Sequence, residues 1–184
     1  MIYVWRILLA IMLLLMGMQK NNVGDVPATN AYAETVFFIN DYNINFSFSN
    51  EWENVTTDTP FDLQCTNGQS YASVFAYYTI DLAEGETPYD IYEIQKDDIF
   101  SRREQVKKVS DEIVYEVNDK RIHSELYSAE RDGVKNYYYV NLIELNEQED
   151  LFCWVLFTAI PSYAKANIDE WKAIIASANI TTEY

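Results

Sequence analysis

The sequence has few of the residues that mark common catalytic sites. Its 184 residues include a single histidine, His123, and two cysteines, Cys65 and Cys153. It has no G-x-S-x-G, H-E-x-x-H, C-x-x-C or Walker-type motif, so serine hydrolysis, zinc proteolysis and nucleotide binding lack their usual markers. One imidazole without a nucleophile motif nearby is weak evidence for a catalytic triad. We therefore predict no catalytic residue, no cofactor and no metal ligand, and a solvated or structural role for His123.

Basic residues are also scarce. The chain carries 13 Lys and Arg against 29 Asp and Glu, which gives a formal net charge of −16. Such a surface repels phosphate backbones and anionic lipid headgroups and attracts cations and basic partners, so nucleic acid is excluded as a partner. The 15 tyrosines, nine phenylalanines and four tryptophans indicate a packed domain rather than a disordered acidic chain.

The first 33 residues have the layout of a secretory signal. Arg6 precedes an uncharged apolar run over residues 7–18, and a polar segment then leads to Ala31 and Ala33, the small residues of a cleavage site. The apolar run is 12 residues long, whereas a membrane-spanning helix needs about 20. We expect cleavage after Ala33 and a secreted or extracytoplasmic protein. A retained membrane anchor is the alternative.

Residues 15–17 read Leu-Met-Gly, which resembles the start of a bacterial lipoprotein box. In that box the next residue is the lipidated cysteine, but here it is Met18, so this chain cannot be lipidated there. Two alternatives remain: an ordinary exported protein, or one whose close relatives are lipoproteins. In either case the chain reaches a membrane only through its N-terminal segment, if that segment is uncleaved.

Cleavage would leave residues 34–184, which is the length of one ordinary domain. Removing residues 1–33 leaves 11 basic and 28 acidic residues, and so a formal charge of −17. In an exported protein Cys65 and Cys153 are able to form a disulfide. Each also sits among apolar residues of the same strand parity, so two separate buried thiols are the alternative.

Apolar periodicity predicts both strands and helices. Residues 42–49 alternate strictly, and residues 61–65 and 71–80 read as two more strands joined through an Asn-Gly turn. Residues 87–103 predict a helix, with Thr87 as N-cap, Pro88 at the first position and an apolar stripe that includes Ile94 and Ile99.

Four strand-like runs follow, at residues 109–117, 121–129, 134–145 and 151–160. Their short polar connectors predict an antiparallel meander. A last helix follows Pro161 and begins at Ser162 or at Asn167, where Glu170 would complete a capping box.

The run at residues 151–160 is apolar on both parities, so the strand needs cover on both of its faces. Two helices are available to provide that cover. The predicted fold class is therefore α+β: a three-layer α/β/α sandwich, in which an antiparallel sheet of about six to seven strands carries one helix on each face. The outer strands, such as residues 122–128, are expected to be single-faced or edge strands.

This order of elements resembles the PsbP-like family of extracytoplasmic domains, which includes the PsbP, Mog and DcrB types. The residues that carry the resemblance are Phe-Ser-Phe-Ser-Asn-Glu-Trp at 46–52, Tyr-Tyr-Tyr-Val-Asn-Leu-Ile at 137–143, the strand at 151–161 and the closing helix at 171–180. The glycine that commonly precedes the tryptophan is Glu51 here. The resemblance covers the whole of residues 34–184, and it implies an accessory or binding protein without catalytic activity.

Two groups of acidic residues suggest other functions. Carboxylates at Asp97, Asp98, Asp111 and Glu112 suggest glycosidase-like chemistry, which needs two opposed carboxyls. Adjacent strand residues point to opposite faces, however, so Asp111 and Glu112 cannot form that pair directly. A denser group could offer oxygen ligands to Ca²⁺, although a charged hairpin tip is the simpler interpretation: Glu144, Asn146, Glu147, Glu149 and Asp150.

The tyrosines at 137–139 suggest a stacking platform for a ligand, but alternation separates Tyr138 from its neighbours and favours core packing. The sequence thus predicts an exported, non-enzymatic accessory or binding protein at the outer face of a bacterial membrane, with an unknown protein partner or small ligand. The alternatives are a secreted carboxylate-dependent hydrolase and a calcium-dependent surface module.

Overall fold

The structure is a computed structural model that describes residues 34–56, 59–146 and 150–181. The described residues form two helices, α1 (Pro88–Ser101) and α2 (Pro161–Ser177), and eleven strands. The strands are β1 (Glu34–Ile39), β2 (Ile44–Ser49), β3 (Glu53–Asn54), β4 (Leu63–Thr66), β5 (Ser70–Tyr78), β6 (Glu104–Lys108), β7 (Ile113–Val117), β8 (Lys120–Arg131), β9 (Val134–Asn146), β10 (Leu151–Ala159) and β11 (Asn179–Ile180).

The main sheet is antiparallel and has eight strands among the described residues. Its order is β3, β4, β5, β10, β9, β8 and β6, and β7 also pairs with β8. The predicted meander is confirmed, since β7, β8, β9 and β10 pair with one another in chain order. Two of its turns have positive φ at both central residues, as type I′ hairpins require: Asn118 at 49° and Asp119 at 60°, then Asp132 at 52° and Gly133 at 74°.

A second sheet contains β1, β2 and β11, with β2 in the centre. The strand predicted at residues 42–49 is β2, so it belongs to this small sheet and not to the main one. A short 3-10 turn at Asn40–Tyr42 and a left-handed Asn43 reverse the chain, which lets β1 pair with β2 as a hairpin. β1 is not among the predicted strands, and the prediction of a single sheet of six to seven strands is wrong, because the strands divide between two sheets.

Alternate residues of β10 belong to two different apolar clusters. Cys153, Val155 and Phe157 pack in a cluster that includes Trp171 of α2 and residues of the small sheet. Phe152, Trp154 and Leu156 pack in a second cluster that includes Tyr92 and Ile99 of α1. Every residue of β10 is buried, so this strand is packed against apolar residues on both of its faces. We call these the α2 side and the α1 side of the main sheet.

Helix α1 begins as the sequence predicts. The Thr87 hydroxyl accepts from the backbone N–H of Asp90, and the Asp90 carboxylate accepts from the backbone N–H of Thr87, which completes a capping box. The predicted apolar stripe is wrong at Ile94, which is 46% exposed. The buried face instead includes Gln95 and Lys96, because each of these polar groups has a buried partner on the sheet.

Helix α2 begins at Pro161, next to the predicted Ser162. The alternative start at Asn167 is wrong, because Asn167 lies inside the helix and its amide donates to the carbonyl of Tyr163. The carboxylate of Glu170 serves another purpose: it accepts hydrogen bonds from the Trp52 indole at 3.0 Å and from the Ser49 hydroxyl at 2.9 Å. These bonds tie α2 to the end of β2.

Two predictions about the outer strands are corrected. The run at residues 109–117 is not one strand, because the backbone N–H groups of Val109 and Ser110 both donate to the carbonyl of Leu126. This break separates β6 from β7. Strand β8 is not at the edge, since β6 pairs with its C-terminal half and β7 with its N-terminal half.

Both cysteines are free and buried. Cys65 pairs with Ala72 and Cys153 pairs with Ala76, on opposite sides of β5. At about 4.8 Å between neighbouring strands, their strands are about 10 Å apart, which exceeds the roughly 7 Å that a disulfide spans between Cα atoms. Burial raises the pKa of both thiols, to about 12 for Cys65. Of the two alternatives for the cysteines, the structure has separate buried thiols.

The predicted leader, residues 1–33 with the predicted cleavage residues Ala31 and Ala33, lies outside the described residues. Within residues 34–56, 59–146 and 150–181, neither helix has the length and apolar character needed to cross a bilayer.

Candidate functional site

The most unusual group of side chains lies on the α1 side of the main sheet, where the β7–β8 hairpin meets the start of α1. Pairing places Val114 of β7 opposite His123 of β8, and Glu116 opposite Arg121. Arg121 is in turn opposite Glu144 of β9. Paired residues of neighbouring strands project on the same side of a sheet, so these side chains share one surface.

His123 is held between two carboxylates from different parts of the chain. Its Nδ1 lies 2.8 Å from Oε1 of Glu112, which is in the segment before β7. Its Nε2 lies 3.3 Å from Oε1 of Glu144 on β9. The histidine is only 8% exposed. We call Tyr89, Glu112, His123 and Glu144 the histidine cluster.

The chemistry of the ring follows from this geometry. A carboxylate only accepts hydrogen bonds, and a neutral imidazole has one N–H, whereas the imidazolium donates from both nitrogens. The imidazolium therefore satisfies Glu112 and Glu144 together. Both ring nitrogens face acceptors within the protein. The neighbouring Ser124 is directed elsewhere, because its hydroxyl donates to Oδ1 of Asn141 at 2.6 Å on the other side of the sheet. The arrangement is thus unlike a serine triad.

Tyr89 extends the histidine cluster to the first turn of α1. Its hydroxyl donates to Oε2 of Glu112 at 3.3 Å, and its ring centroid is 5.6 Å from that of His123. Burial, together with the negative charges of Glu112 and Glu93, raises the pKa of Tyr89 to about 12. The phenol therefore stays protonated and acts as a donor at neutral pH.

An open cleft of about 750 Å³ adjoins the histidine cluster. Its two basic residues, Lys120 and Arg121, differ in whether other groups of the protein already bind them. The ammonium of Lys120 donates to the carbonyls of Ala176 and Ala178 at the C-terminal end of α2, at 2.8 and 2.6 Å, and burial lowers its pKa. Arg121 faces acidic neighbours, so the cleft has an excess of negative charge. The lining residues are Val114, Tyr115, Glu116, Asp119, Lys120, Arg121 and Glu144.

A second ionic group lies beneath α1. Glu125 of β8 is 3% exposed, and its carboxylate accepts from Lys96 at 2.7 Å, Lys108 at 2.6 Å and Tyr92 at 2.9 Å. Burial alone would raise the pKa of Glu125, but the hydrogen bonds from Lys108, Lys96 and Tyr92 outweigh it and lower the pKa to about 2. Lys96 also contacts Glu93.

This second group fixes α1 on the sheet and is not directed into the cleft. Burial would lower the pKa of Lys96, but hydrogen bonds to Glu125 and Glu93 raise it, so both partners are charged at neutral pH. A buried pair of this kind specifies one position of the helix more than it adds stability.

The structure distributes the acidic residues that the sequence analysis grouped. Glu144 belongs to the histidine cluster, whereas the side chains of Asn146, Glu147 and Glu149 lie outside the described part of the chain. Among the residues that the structure describes, no three His, Cys, Asp or Glu side chains are placed to hold a metal ion.

Asp97 and Asp98 lie on α1, and Asp98 pairs with Arg102 at 3.5 Å. Burial raises the pKa of Asp98, outweighing the charges of Arg102 and Arg103. The tyrosines divide as predicted: Tyr138 packs on the α1 side, and Tyr137 and Tyr139 on the α2 side. Tyr138 and Tyr139 are core residues rather than a stacking platform.

Sequence reasoning missed the histidine cluster and the Glu125 group, although one signal for them exists. His123, Glu125 and Tyr127 alternate along β8 and therefore share a face. The partners on α1 lie at the spacing of one helical stripe, from Tyr92 to Lys96. The sequence does not show, however, that these two faces meet.

Comparison with known proteins identifies the fold. No protein-family model matches the sequence, and no curated protein matches it either. Solved structures do match. CyanoP, the cyanobacterial PsbP of Synechocystis, is 10% identical with a TM-score of 0.56, over 86% of this chain and 99% of that chain.

Two further structures are similar to the same extent. The Ran-binding protein Mog1p of Saccharomyces cerevisiae is 10% identical, with a TM-score of 0.57, over 82% of this chain and 96% of that chain. LpqN of Mycobacterium tuberculosis, which is involved in cell envelope biogenesis, is 11% identical, with a TM-score of 0.58, over 83% of this chain and 92% of that chain. The chain has the PsbP-like fold, which confirms the resemblance drawn from the sequence. At this identity the likeness concerns the fold.

Proposed function

We propose that the protein is an exported, non-enzymatic accessory or binding protein that acts at the outer face of a bacterial membrane, and that the acidic cleft beside the histidine cluster is its binding surface. One observation carries the proposal: the only histidine in the sequence has both ring nitrogens against Glu112 and Glu144. A general base needs a ring nitrogen within reach of substrate, and this ring offers neither nitrogen to the cleft.

The position of the cleft supports binding. We propose a three-layer arrangement in which α1 covers one side of the main sheet, while α2 and the small sheet cover the other. Both apolar clusters are then closed, and the cleft lies at the rim of the sheet, beside the β7–β8 turn. An open rim bordered by Glu116, Asp119 and Glu144 suits a basic partner, and the net charge of −16 favours approach of such a partner.

The compartment rests on the leader. We propose that residues 1–33 are a signal removed after Ala33 and that residues 34–184 form one domain. LpqN is described as involved in cell envelope biogenesis, and Mog1p is described as a Ran-binding protein. Neither description is that of an enzyme, which agrees with an accessory role for this chain.

Two measurements on the full chain, expressed in a bacterium, test the proposal. N-terminal sequencing of the protein from the extracytoplasmic fraction should begin at Glu34. The purified protein should hydrolyse a panel of glycosides, esters and peptides no faster than the variant His123→Gln. Turnover that is lost in His123→Gln or in Glu144→Gln would establish the carboxylate-dependent hydrolase instead, and retention in the cytoplasm would remove the proposed location.

A further inference from the structure

The outer edge of β8 is covered by two strands of different character. β6 carries three charged residues in five (Glu104, Lys107 and Lys108), and its pairing with β8 has a register shift next to Gln105, whose φ is 50°. Charges and bulges are the usual protection of an exposed edge against further strand pairing. β6 is a protected edge.

β7 lacks this protection. Its register with β8 is regular from Ile113 to Val117, and its sequence has one charged residue, Glu116, with no proline or glycine. Ile113 is 57% exposed and Val114 is 47% exposed. Among the described residues β7 pairs with β8 alone, so its outer row of backbone N–H and C=O groups has no strand partner there. A strand with these properties is suited to accept another strand.

The side chains along β7 define what that strand would carry. Val114 and Glu116 project on the α1 side, and Glu112, just before the strand, lies on the same side. Ile113, Tyr115 and Val117 project on the other side. A paired strand places each side chain beside its partner on the same face. On the α1 side, a complementary strand therefore carries basic residues beside Glu112 and Glu116 and an apolar residue beside Val114. On the other side it carries apolar residues.

We propose that β7 is a docking edge to which an extended basic segment of a partner protein adds as a further strand of the main sheet, with its basic side chains towards Glu112, Glu116 and the cleft. The proposal rests on the binding role proposed above and names the class of partner. Main-chain hydrogen bonds would supply affinity, and the alternating side chains would supply specificity.

A second copy of the chain is a poorer occupant of this edge. Each copy has a formal charge of −16, so two copies repel each other. In antiparallel self-pairing centred on Tyr115, moreover, Glu116 would lie opposite Val114 rather than opposite a cation. The same charge favours a basic segment and makes its binding sensitive to salt.

The test uses the full chain and a synthetic peptide with the core Lys-Val-Val-Tyr-Lys-Val between polar flanks. Its first, third and fifth residues match Glu112, Val114 and Glu116 in either strand direction. The control peptide, Lys-Val-Val-Lys-Tyr-Val, has the same composition but places its lysines on opposite faces. Two further peptides are N-methylated on alternate residues, one on the odd-numbered and the other on the even-numbered residues. Only one of these two sets of N–H groups points towards β7 in a paired strand.

We expect the matched peptide to bind in a salt-dependent way and the control peptide to bind more weakly. N-methylation of one alternate set of residues should abolish binding, while N-methylation of the other set should leave it nearly unchanged. Glu116→Lys should weaken binding by about tenfold. Glu104→Lys, which makes the same charge change on the protected strand β6, should change binding by no more than about twofold.

Four results would overturn the proposal. Equal weakening by Glu116→Lys and Glu104→Lys would show general charge attraction, and tolerance of N-methylation on both sets of residues would exclude strand pairing. Dimerisation of the chain alone, in competition with the matched peptide, would assign the edge to a second copy. Absence of peptide binding in a protein that also shows no turnover would remove the docking edge and leave the accessory role in place, so the two proposals fail separately.

Discussion

The two sides of the main sheet use the same strands for different purposes. On the α2 side, Trp171 is fully buried and stacks on Phe157 with ring centroids 5.2 Å apart, and Trp52 packs edge-on against the same ring. On the α1 side, the buried groups include the charged pair Lys96 and Glu125. The first side is held by apolar area, and the second adds fixed charges that determine position.

The difference has a physical cause. Burial of apolar surface is favourable without requiring a particular orientation, whereas a buried charge is tolerated only where its partner is correctly placed. The α1 side therefore depends on specific contacts and holds the histidine cluster, while the α2 side supplies most of the closed core. Three experiments can break or sharpen this comparison.

The largest effect is expected on the α2 side. Trp171→Ala removes a ring that is fully buried and whose indole N–H has no hydrogen-bond partner among the described residues. Because the loss is packing alone, we expect the free energy of unfolding to fall by about 4 kcal/mol. Trp171→Phe keeps a stacked ring and should cost less than about 1.5 kcal/mol. Urea unfolding measures both, and equal costs would contradict the packing argument.

The next effect lies beneath α1. Glu125→Gln removes the charge that compensates Lys96, and we expect a loss of about 3 kcal/mol. The matched control is Glu93→Gln, because Glu93 contacts the same ammonium but its side chain is 41% exposed; its cost should stay below about 1 kcal/mol.

The cost of Glu125→Gln should depend on pH. The pKa of Glu125 is about 2 in the folded protein and about 4.3 in an unfolded chain. The unfolded state therefore takes up the proton first as the pH falls, so the stabilisation is complete above about pH 5 and is lost towards pH 2. Unfolding free energies of both proteins at pH 7, 5 and 3 should converge in acid, and a constant difference would refute the charge argument.

The smallest effect concerns two isoleucines of α1. Ile99 is 7% exposed and Ile94 is 46% exposed. We expect Ile99→Ala to cost about 2 kcal/mol and Ile94→Ala to cost less than about 0.5 kcal/mol. The two substitutions delete the same atoms from one helix, so thermal unfolding of the pair compares their positions alone. Similar costs would contradict the burial of Ile99 and the exposure of Ile94 on opposite faces of α1.

Much of the fold could be predicted because it depends on local signals. The N-cap of α1 at Thr87, the short polar turn at Asp132 and Gly133, and the two-sided burial of β10 are each encoded within a few residues. The division of strands between two sheets could not be predicted. Whether residues 42–49 pair with β1 or join the main sheet depends on competition among partners that are distant in sequence.

The candidate site was less accessible for the same reason. His123 was identified as the only histidine, and Glu112 and Glu144 were each identified within acidic groups, but with other roles. Their meeting requires the β7–β8 hairpin and β9 to pair in register. Ile94 is predicted in the buried face of α1 because it is apolar. The buried face contains Lys96 instead, because its ammonium pairs with Glu125 on the sheet.

The sequence by itself determined the acidic balance, the absence of known catalytic motifs, the signal-like pattern of residues 1–33 and the order of local elements, because these are properties of composition and short-range pattern. Only the tertiary structure decided that the two cysteines lie on opposite sides of β5, that His123 bridges Glu112 and Glu144, and that β7 has an open edge beside an acidic cleft. Each of these depends on strand register, and a register is fixed only when distant segments bury their apolar faces together.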